Sequence, residues 1–164
     1  MAVAESGLHD DESSVAFTGF VREVGPRLRQ SLIAAVGGEA GREATAEALA
    51  WAWENWDRLE RMHNPAGYLY RLGRNRGISA LRRRRPVFPL PDRSPDAPWV
   101  EPGLLAALAR LSETQRVAVL LIHSFGWTYR EVADHLGIAA GTVQVHVQRG
   151  IAKLRHDLKV DVHA

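Results

Sequence analysis

Apolar residues recur at three- and four-residue spacing along most of this chain, and proline- and glycine-rich segments interrupt the pattern. Such spacing is typical of amphipathic helices, because it places the apolar side chains on one face. Residues 13–85 show no alternation of the kind that predicts strands. The pattern therefore predicts an all-α protein.

In the first block, the pattern predicts three helices. The first begins near Ser13 or Ser14 and runs to Val36, with a kink or break at Pro26, since proline removes a backbone donor. The run Gly37–Gly41 ends it. A second helix covers about 42–60, and its apolar face is formed by Ala46, Leu49, Ala50 and Trp53.

The third predicted helix follows the turn at Asn64-Pro65, because proline suits the first turn of a helix. Its apolar side includes Gly73 and Gly77, which would let another helix approach closely. Residues 1–12, which are acidic and polar, precede this block and are predicted to form a disordered tail.

Six prolines and no apolar periodicity mark residues 86–103 as a semi-extended linker. The linker divides the chain into two small helical domains, at residues 13–85 and 104–158, and residues 159–164 form a second tail. The second block opens with a short leucine-containing helix. It is followed by a helix with a capping box formed by Ser112 and Gln115.

Residues 128–154 contain the pattern of a helix–turn–helix. Thr128 and Glu131 have the spacing of a second capping box, and Gly137 is placed to end that helix. The following helix lacks a side-chain cap, because alanine occupies position 139. In a DNA-binding helix–turn–helix the second helix enters the major groove. Its outer face would carry Thr142, Gln144, Val145, His146, Gln148 and Arg149.

Composition favours binding over catalysis. The chain has no cysteine, which excludes disulfides and thiolate metal sites and is compatible with a cytoplasmic location. Seven arginines and no acidic residue lie within residues 65–91, as expected of a surface that meets phosphates. The seven histidines lack metal-ligand spacing, and no phosphate-cradling glycine loop is present. We predict no catalytic residue, metal, cofactor or membrane insertion.

The order of these parts resembles that of the extracytoplasmic-function (ECF, group IV) sigma factors of bacterial RNA polymerase, from Phe17 to Leu158. The runs AEALAWAWENWDRL and NPAGYLYRLGRNRGISALRRRRP are similar to sigma region 2. The run LARLSETQRVAVLLIHSFGWTYREVADHLGIAAGTVQVHVQRGIAKL is similar to region 4. The resemblance implies two all-helical domains that bind core polymerase, through its β′ clamp and its β subunit, and that recognise promoter DNA. An anti-sigma factor is a further partner that the resemblance allows.

The resemblance also assigns roles to residues. It implies that an acidic stripe on the second helix binds the polymerase clamp, through Glu43, Glu47 and Glu54. Ala46 stands where the family usually has glutamine. Trp53 is expected in the core, and Trp51 and Trp56 are expected to be partly exposed.

For promoter DNA, the resemblance places the loop for the flipped −10 base at residues 61–64, followed by a DNA-facing helix. The implied −10 residues are Met62, His63, Asn64, Tyr68, Arg71, Asn75 and Arg82. The outer face of the helix–turn–helix would read the −35 element. Gln144 suggests an altered preference there, since glutamine pairs with adenine.

Two alternatives remain open from the sequence. The run GTVQVHVQRGIAKL also resembles the recognition helix of LuxR-type regulators, although the first block lacks the parallel strands of a phosphoacceptor domain. A sigma-like adaptor that binds only protein is the second alternative.

Overall fold

The computed structural model describes residues 3–81 and 103–159, and within them the side chains of residues 12–79 and 103–159. This part of the chain forms α-helices and no strand, which confirms the all-α prediction. The helices are α1 (Val3–Val36), α2 (Gly38–Glu54), α3 (Trp56–Leu59), α4 (Pro65–Leu81), α5 (Leu104–Arg110), α6 (Glu113–His123), α7 (Tyr129–Leu136) and α8 (Ala140–Leu158).

The first helix is longer than the sequence pattern predicts. It begins at Val3, so the expectation of a disordered tail over residues 1–12 is wrong from that residue onward. The helix also continues through Pro26, which is exposed, so water can satisfy the carbonyl that proline leaves without a donor.

The buried face of α2 differs from the predicted one. The buried residues of α2 include Ala44, Ala48 and Ala52, whereas its Trp53 is 52% exposed. The tryptophan in the core is instead Trp56 of α3, which is only 8% exposed. The expected roles of these two tryptophans are therefore reversed. Short alanine side chains allow α2 to lie close to its neighbours, so apolar size is a poor guide to its inner face. Trp51, as expected, is only partly buried.

Glycines allow the close helix contacts that the sequence predicts. A Cβ added to Gly73 would lie 2.8 Å from Leu32 Cδ1, and one added to Gly77 would lie 3.0 Å from Val36 Cγ2. Between α1 and α2, Gly37 adopts a positive φ of 94°. Helices α1, α2 and α4 thus form one tightly packed unit.

Helices α5 to α8 form the second half, in which α6 and α8 pack against each other. The predicted capping box of Ser112 and Gln115 is present at the start of α6. The two halves are not separate in this structure, because one apolar core joins them. It contains Leu28 and Leu32 of α1 together with Val117, Leu121 and Val132 of the second half.

Candidate nucleic-acid interface

The segment from Thr128 to Leu158 forms the predicted helix–turn–helix. The Thr128 hydroxyl accepts the backbone N–H of Glu131, and the Glu131 carboxylate accepts the backbone N–H of Thr128, which completes the capping box. Gly137 ends α7 in the left-handed conformation, with φ 69°. As predicted, the start of α8 lacks a side-chain cap, because its N-cap residue is Ala139.

The outer face of α8 is open to a partner. Val143 and Val147 are buried, which turns the opposite side outward. The exposed predicted residues are Thr142, Gln144, Val145, Gln148 and Arg149. His146 differs, because it is partly buried and its Nδ1 atom is buried without a hydrogen-bond partner. It is placed at the edge of the face rather than on it.

The turn before α4 is held by Asn64. Its Oδ1 atom accepts the backbone N–H of Gly67 at 2.8 Å, so it caps the helix that Pro65 begins. His63 is exposed, whereas Met62 is partly buried against the core. The turn therefore presents the His63 side chain to solvent, whereas the Asn64 side chain is used to cap α4.

On α4, the predicted DNA-facing residues differ in exposure. Arg71 and Asn75 are exposed, but Tyr68 is partly buried, with its ring 5.2 Å from that of Trp51. Tyr68 therefore packs against α2 and is only partly accessible to DNA. The predicted contact at Arg82 lies outside the described residues.

The acidic stripe on α2 is exposed. Glu43, Glu47 and Glu54 all face solvent, and an ion pair joins Glu47 Oε2 to Arg76 Nη1 at 3.7 Å. The exposed ring of Trp53 lies beside this stripe and contacts Phe17, with ring centroids 5.0 Å apart. An acidic surface bordered by an exposed aromatic ring suits a basic, partly apolar partner.

The sequence analysis did not predict the polar contacts that join the two halves. Arg116 is buried and donates hydrogen bonds to the carbonyls of Ala34, at 3.1 Å, and Ala35, at 2.8 Å. His135 Nε2 lies 2.9 Å from the hydroxyl of Ser31. An arginine among apolar residues in α6 is the one signal that could have been noticed, and it does not identify a partner.

Two titratable side chains at this junction, His135 and Glu131, have pKa values below their usual ones. Burial, together with the cations Arg27 and Arg71, lowers the pKa of His135 to about 4. The backbone N–H of Thr128 and the guanidinium of Arg27 lower the pKa of Glu131 to about 2. His135 is therefore neutral, and the Arg27–Glu131 ion pair intact, at neutral pH.

Comparison with known proteins agrees with this geometry. The family model "Sigma-70, region 4" matches residues 103–154. The ECF RNA polymerase sigma factor EcfG of Rhodopseudomonas palustris is 31% identical over 148 residues, which cover 83% of this chain and 81% of that protein. The chain belongs to the ECF sigma factors of RNA polymerase.

Other relatives extend the match to both halves of this sigma factor. The ECF sigma factor RpoE of Cereibacter sphaeroides is 25% identical over 92% of this chain and 91% of its own length. The sigma factor RpoE of Bartonella quintana, solved in complex with the anti-sigma factor NepR, superposes with a TM-score of 0.64 at 26% identity. This match covers 89% of our chain and 98% of that one.

CnrH, solved with the cytosolic domain of CnrY, shares the fold, with a TM-score of 0.58, 21% identity and 90% of each chain covered. The region 4 match and the EcfG relative show that this chain is a sigma factor that serves transcription initiation, and they favour neither the LuxR-type regulator nor the protein-only adaptor. Among the described residues, no helix is long and apolar enough to cross a membrane.

Proposed function

We propose that this sigma factor binds core polymerase through α2, reads the −35 element with α8 and captures the melted −10 strand with the turn at residues 61–64 and α4. It acts by binding rather than by catalysis, in the cytoplasm. The observation that carries the proposal is that the acidic stripe of α2 and the outer face of α8 are both exposed on one chain of sigma-factor fold.

The polymerase contact is supported by charge and shape. Glu43, Glu47 and Glu54 lie on one side of α2, next to the exposed ring of Trp53. Aromatic residues at the centre of an interface often contribute much of its binding energy, and charged neighbours steer association. We propose that the clamp of the largest polymerase subunit is the partner of this face.

The −35 contact rests on α8. Gln144 can pair with adenine in the major groove, and Arg149 can pair with guanine or hold a phosphate. The uncapped N-terminus of α8 also presents free backbone N–H groups to the DNA backbone. His146, being partly buried, orients the helix more than it reads a base.

For the −10 strand, His63 and Asn75 offer polar groups to an unstacked base, and Arg71 supplies charge. Extruding a base costs a few kcal/mol, which contacts of this kind must offset. Arg82 is proposed to extend the positive surface to the end of the helix. A protein of the anti-sigma class is a further candidate partner, since the relative from Bartonella quintana was captured with one.

Three variants test the assignment on a promoter selected with the wild-type protein. Changing Glu43, Glu47 and Glu54 together to glutamine should weaken retention on core polymerase. A matched triple change of Glu12, Glu23 and Glu60, also exposed, should not. Asn75→Ala should leave polymerase binding intact but lower permanganate reactivity of −10 thymines. Equal effects of the two triple variants would contradict the proposed polymerase face.

A further inference from the structure

Two aromatic side chains from different helices lie side by side at the edge between α2 and α4. The ring of Trp51, in α2, is 5.2 Å from that of Tyr68, in α4, and the two ring planes are inclined by 40°. Both side chains are only partly buried, although each packs against the main apolar core. The pair therefore presents aromatic surface to solvent where two helices meet.

The polar atoms of this pair are not used by the described part of the chain. Neither the indole N–H of Trp51 nor the hydroxyl of Tyr68 is hydrogen-bonded to a described residue. The buried side-chain atoms that lack a partner in this part of the chain are Trp56 Nε1 and His146 Nδ1, so both groups of the pair are accessible to solvent. Two flat rings with free polar groups suit a ligand that is itself flat and polar.

The charges around the pair differ between the two helices. Helix α4 carries three arginines and no acidic residue over Pro65–Leu81. Helix α2 places Glu47 one turn before Trp51 and Glu54 almost one turn after it. Arg76 of α4 crosses to α2, where its Nη1 atom donates to the carbonyl of Glu47 at 3.3 Å and lies 3.7 Å from Oε2 of the same residue. Positive charge thus extends from α4 to this edge and offsets the charge of Glu47.

The aromatic pair is continuous with the residues that we propose for the −10 strand. Tyr68 follows the turn at residues 61–64, and its backbone N–H donates to the carbonyl of Asn64 at 3.1 Å. Asn75, which is exposed, lies seven residues further along α4 and therefore on the same side of the helix. A strand that runs from the turn along α4 would pass the exposed edge of the two rings.

Aromatic rings beside a positively charged helix favour single-stranded nucleic acid over protein. Every base has a flat face that can stack on an aromatic ring whatever its sequence, and arginines can hold the phosphates. The bases of a duplex already stack on one another, so only an unpaired base can use the rings. The basic partner proposed for the acidic stripe would be repelled by the arginines of α4.

We infer that Trp51 and Tyr68 together form a stacking site for an unpaired nucleobase, which makes Trp51 a DNA contact on the helix that also carries the proposed polymerase face. The inference rests on the proposed role of α4 in holding the melted strand. Because stacking tolerates any base, the site retains the open strand rather than reading its sequence. It offsets part of the cost of unpairing beside the turn.

The emission of 2-aminopurine, a base analogue that is quenched by stacking, tests the site in the holoenzyme. Fork DNA built on the selected promoter, with one −10 strand unpaired, carries the analogue at each unpaired position in turn. Relative to wild type, we expect Trp51→Leu to raise the emission at one position and to weaken fork binding by about 5- to 100-fold. Trp51→Phe, which keeps a ring, should lose less.

Retention on core polymerase distinguishes this role from one in the polymerase face. Trp51→Leu should be retained as well as wild type. Trp53→Leu, which removes an exposed tryptophan from the same helix, should leave the emission unchanged at every position. Reduced retention of a folded Trp51→Leu protein, or wild-type emission from it at every position, would overturn the inference.

A photochemical cross-link to the unchanged chain tests the site without any variant. We expect 5-iodouracil, placed at each unpaired position of the fork and irradiated in the wild-type holoenzyme, to attach to a peptide that contains Trp51 or Tyr68. Cross-links to other segments alone would count against the stacking site and leave the proposed function standing. If the holoenzyme holds the fork no better than core polymerase does, the proposed function fails, and the inference fails with it.

Discussion

At the scale of single residues, small side chains decide how the helices of this sigma factor approach each other. Ala44, Ala48 and Ala52 form the buried stripe of α2, and Gly73 and Gly77 admit side chains of α1 to the surface of α4. The glycine contacts follow from the sequence, since two glycines in a helix suggest close packing. The inversion of Trp53 and Trp56 does not, because a helical wheel centred on large residues points to the wrong face.

Two glycine-to-alanine variants should have opposite effects on stability. Gly73→Ala places a methyl group 2.8 Å from Leu32 Cδ1 and 3.2 Å from the carbonyl of Ala44, so we expect a loss of about 1–3 kcal/mol. Gly19→Ala meets nothing within 4 Å in the exposed part of α1 and should gain about 0.5–1 kcal/mol. Urea unfolding measures both. A neutral Gly73→Ala would show that α1 can move away from α4.

Arg149 should contribute to −35 binding through charge. Arg149→Ala is expected to weaken binding of polymerase holoenzyme to the selected promoter and to lower the slope of log affinity against log salt by about 1. Arg22→Ala, which removes an exposed arginine from α1, is the matched control and should change neither quantity. An unchanged salt slope for Arg149→Ala would remove it from the DNA contact.

At the scale of elements, the sequence predicts α6, α7 and α8 well because local chemistry determines their ends. The capping boxes at Ser112 and Thr128 and the left-handed Gly137 are all where the sequence places them. The sequence pattern misplaces the start of α2, because Gly37 provides no side-chain cap there, and it also misplaces the start of α1. A helix start without a capping residue leaves no local signal in the sequence.

The missing cap of α8 gives a prediction at this scale. Ala139 has the extended backbone of a capping residue, with φ −70° and ψ 146°, but no side-chain acceptor. Ala139→Ser should supply one and stabilise the fold by about 0.5–1 kcal/mol. Ala140→Ser, one residue later in the first helical turn, should give no such gain. Equal unfolding free energies for wild type and Ala139→Ser would contradict the prediction.

At the scale of the whole molecule, the junction between the halves could not be predicted from the sequence. The residues that meet there, such as Ser31 and His135, lie 104 positions apart, and each belongs to a helix whose pattern is explained within its own half. The sequence resemblance therefore predicts a polymerase-binding face and a DNA-binding face, but not how the two halves that carry them are arranged. The structure also shows that His146 and Tyr68, which the sequence analysis placed on DNA-facing surfaces, are partly buried.

Protonation of His135 should weaken the junction. Its ring faces Ser31 of α1, Tyr70 of α4 and Trp127, and Arg27 and Arg71 add positive charge nearby. Because the pKa in the folded state is lowered from 6.5 to about 4, the contribution of this group is complete above pH 6.5 and is lost as the pH falls through about 4. A shift of this size corresponds to about 3 kcal/mol.

Unfolding free energies between pH 7.5 and pH 4 measure this effect. His135→Gln, which keeps a donor for Ser31 but cannot titrate, should flatten the profile in that range. His123→Gln, at an exposed position in α6, should leave the wild-type profile unchanged. If wild type and His135→Gln lose stability in parallel, the junction does not depend on a neutral His135.

A sigma factor directs core polymerase to promoters, and every role proposed above for this chain depends on that activity. Run-off transcription from a randomised promoter library, with sigma-free bacterial core polymerase in the presence and absence of the chain, tests it most directly. We predict discrete start sites that require the chain, with shared upstream sequences about two turns of DNA apart, each turn being roughly 10 base pairs. Gln144→Ala should alter only the sequence that lies farther from the start site. An absence of chain-dependent start sites, with core polymerase active in nonspecific transcription, would contradict the account.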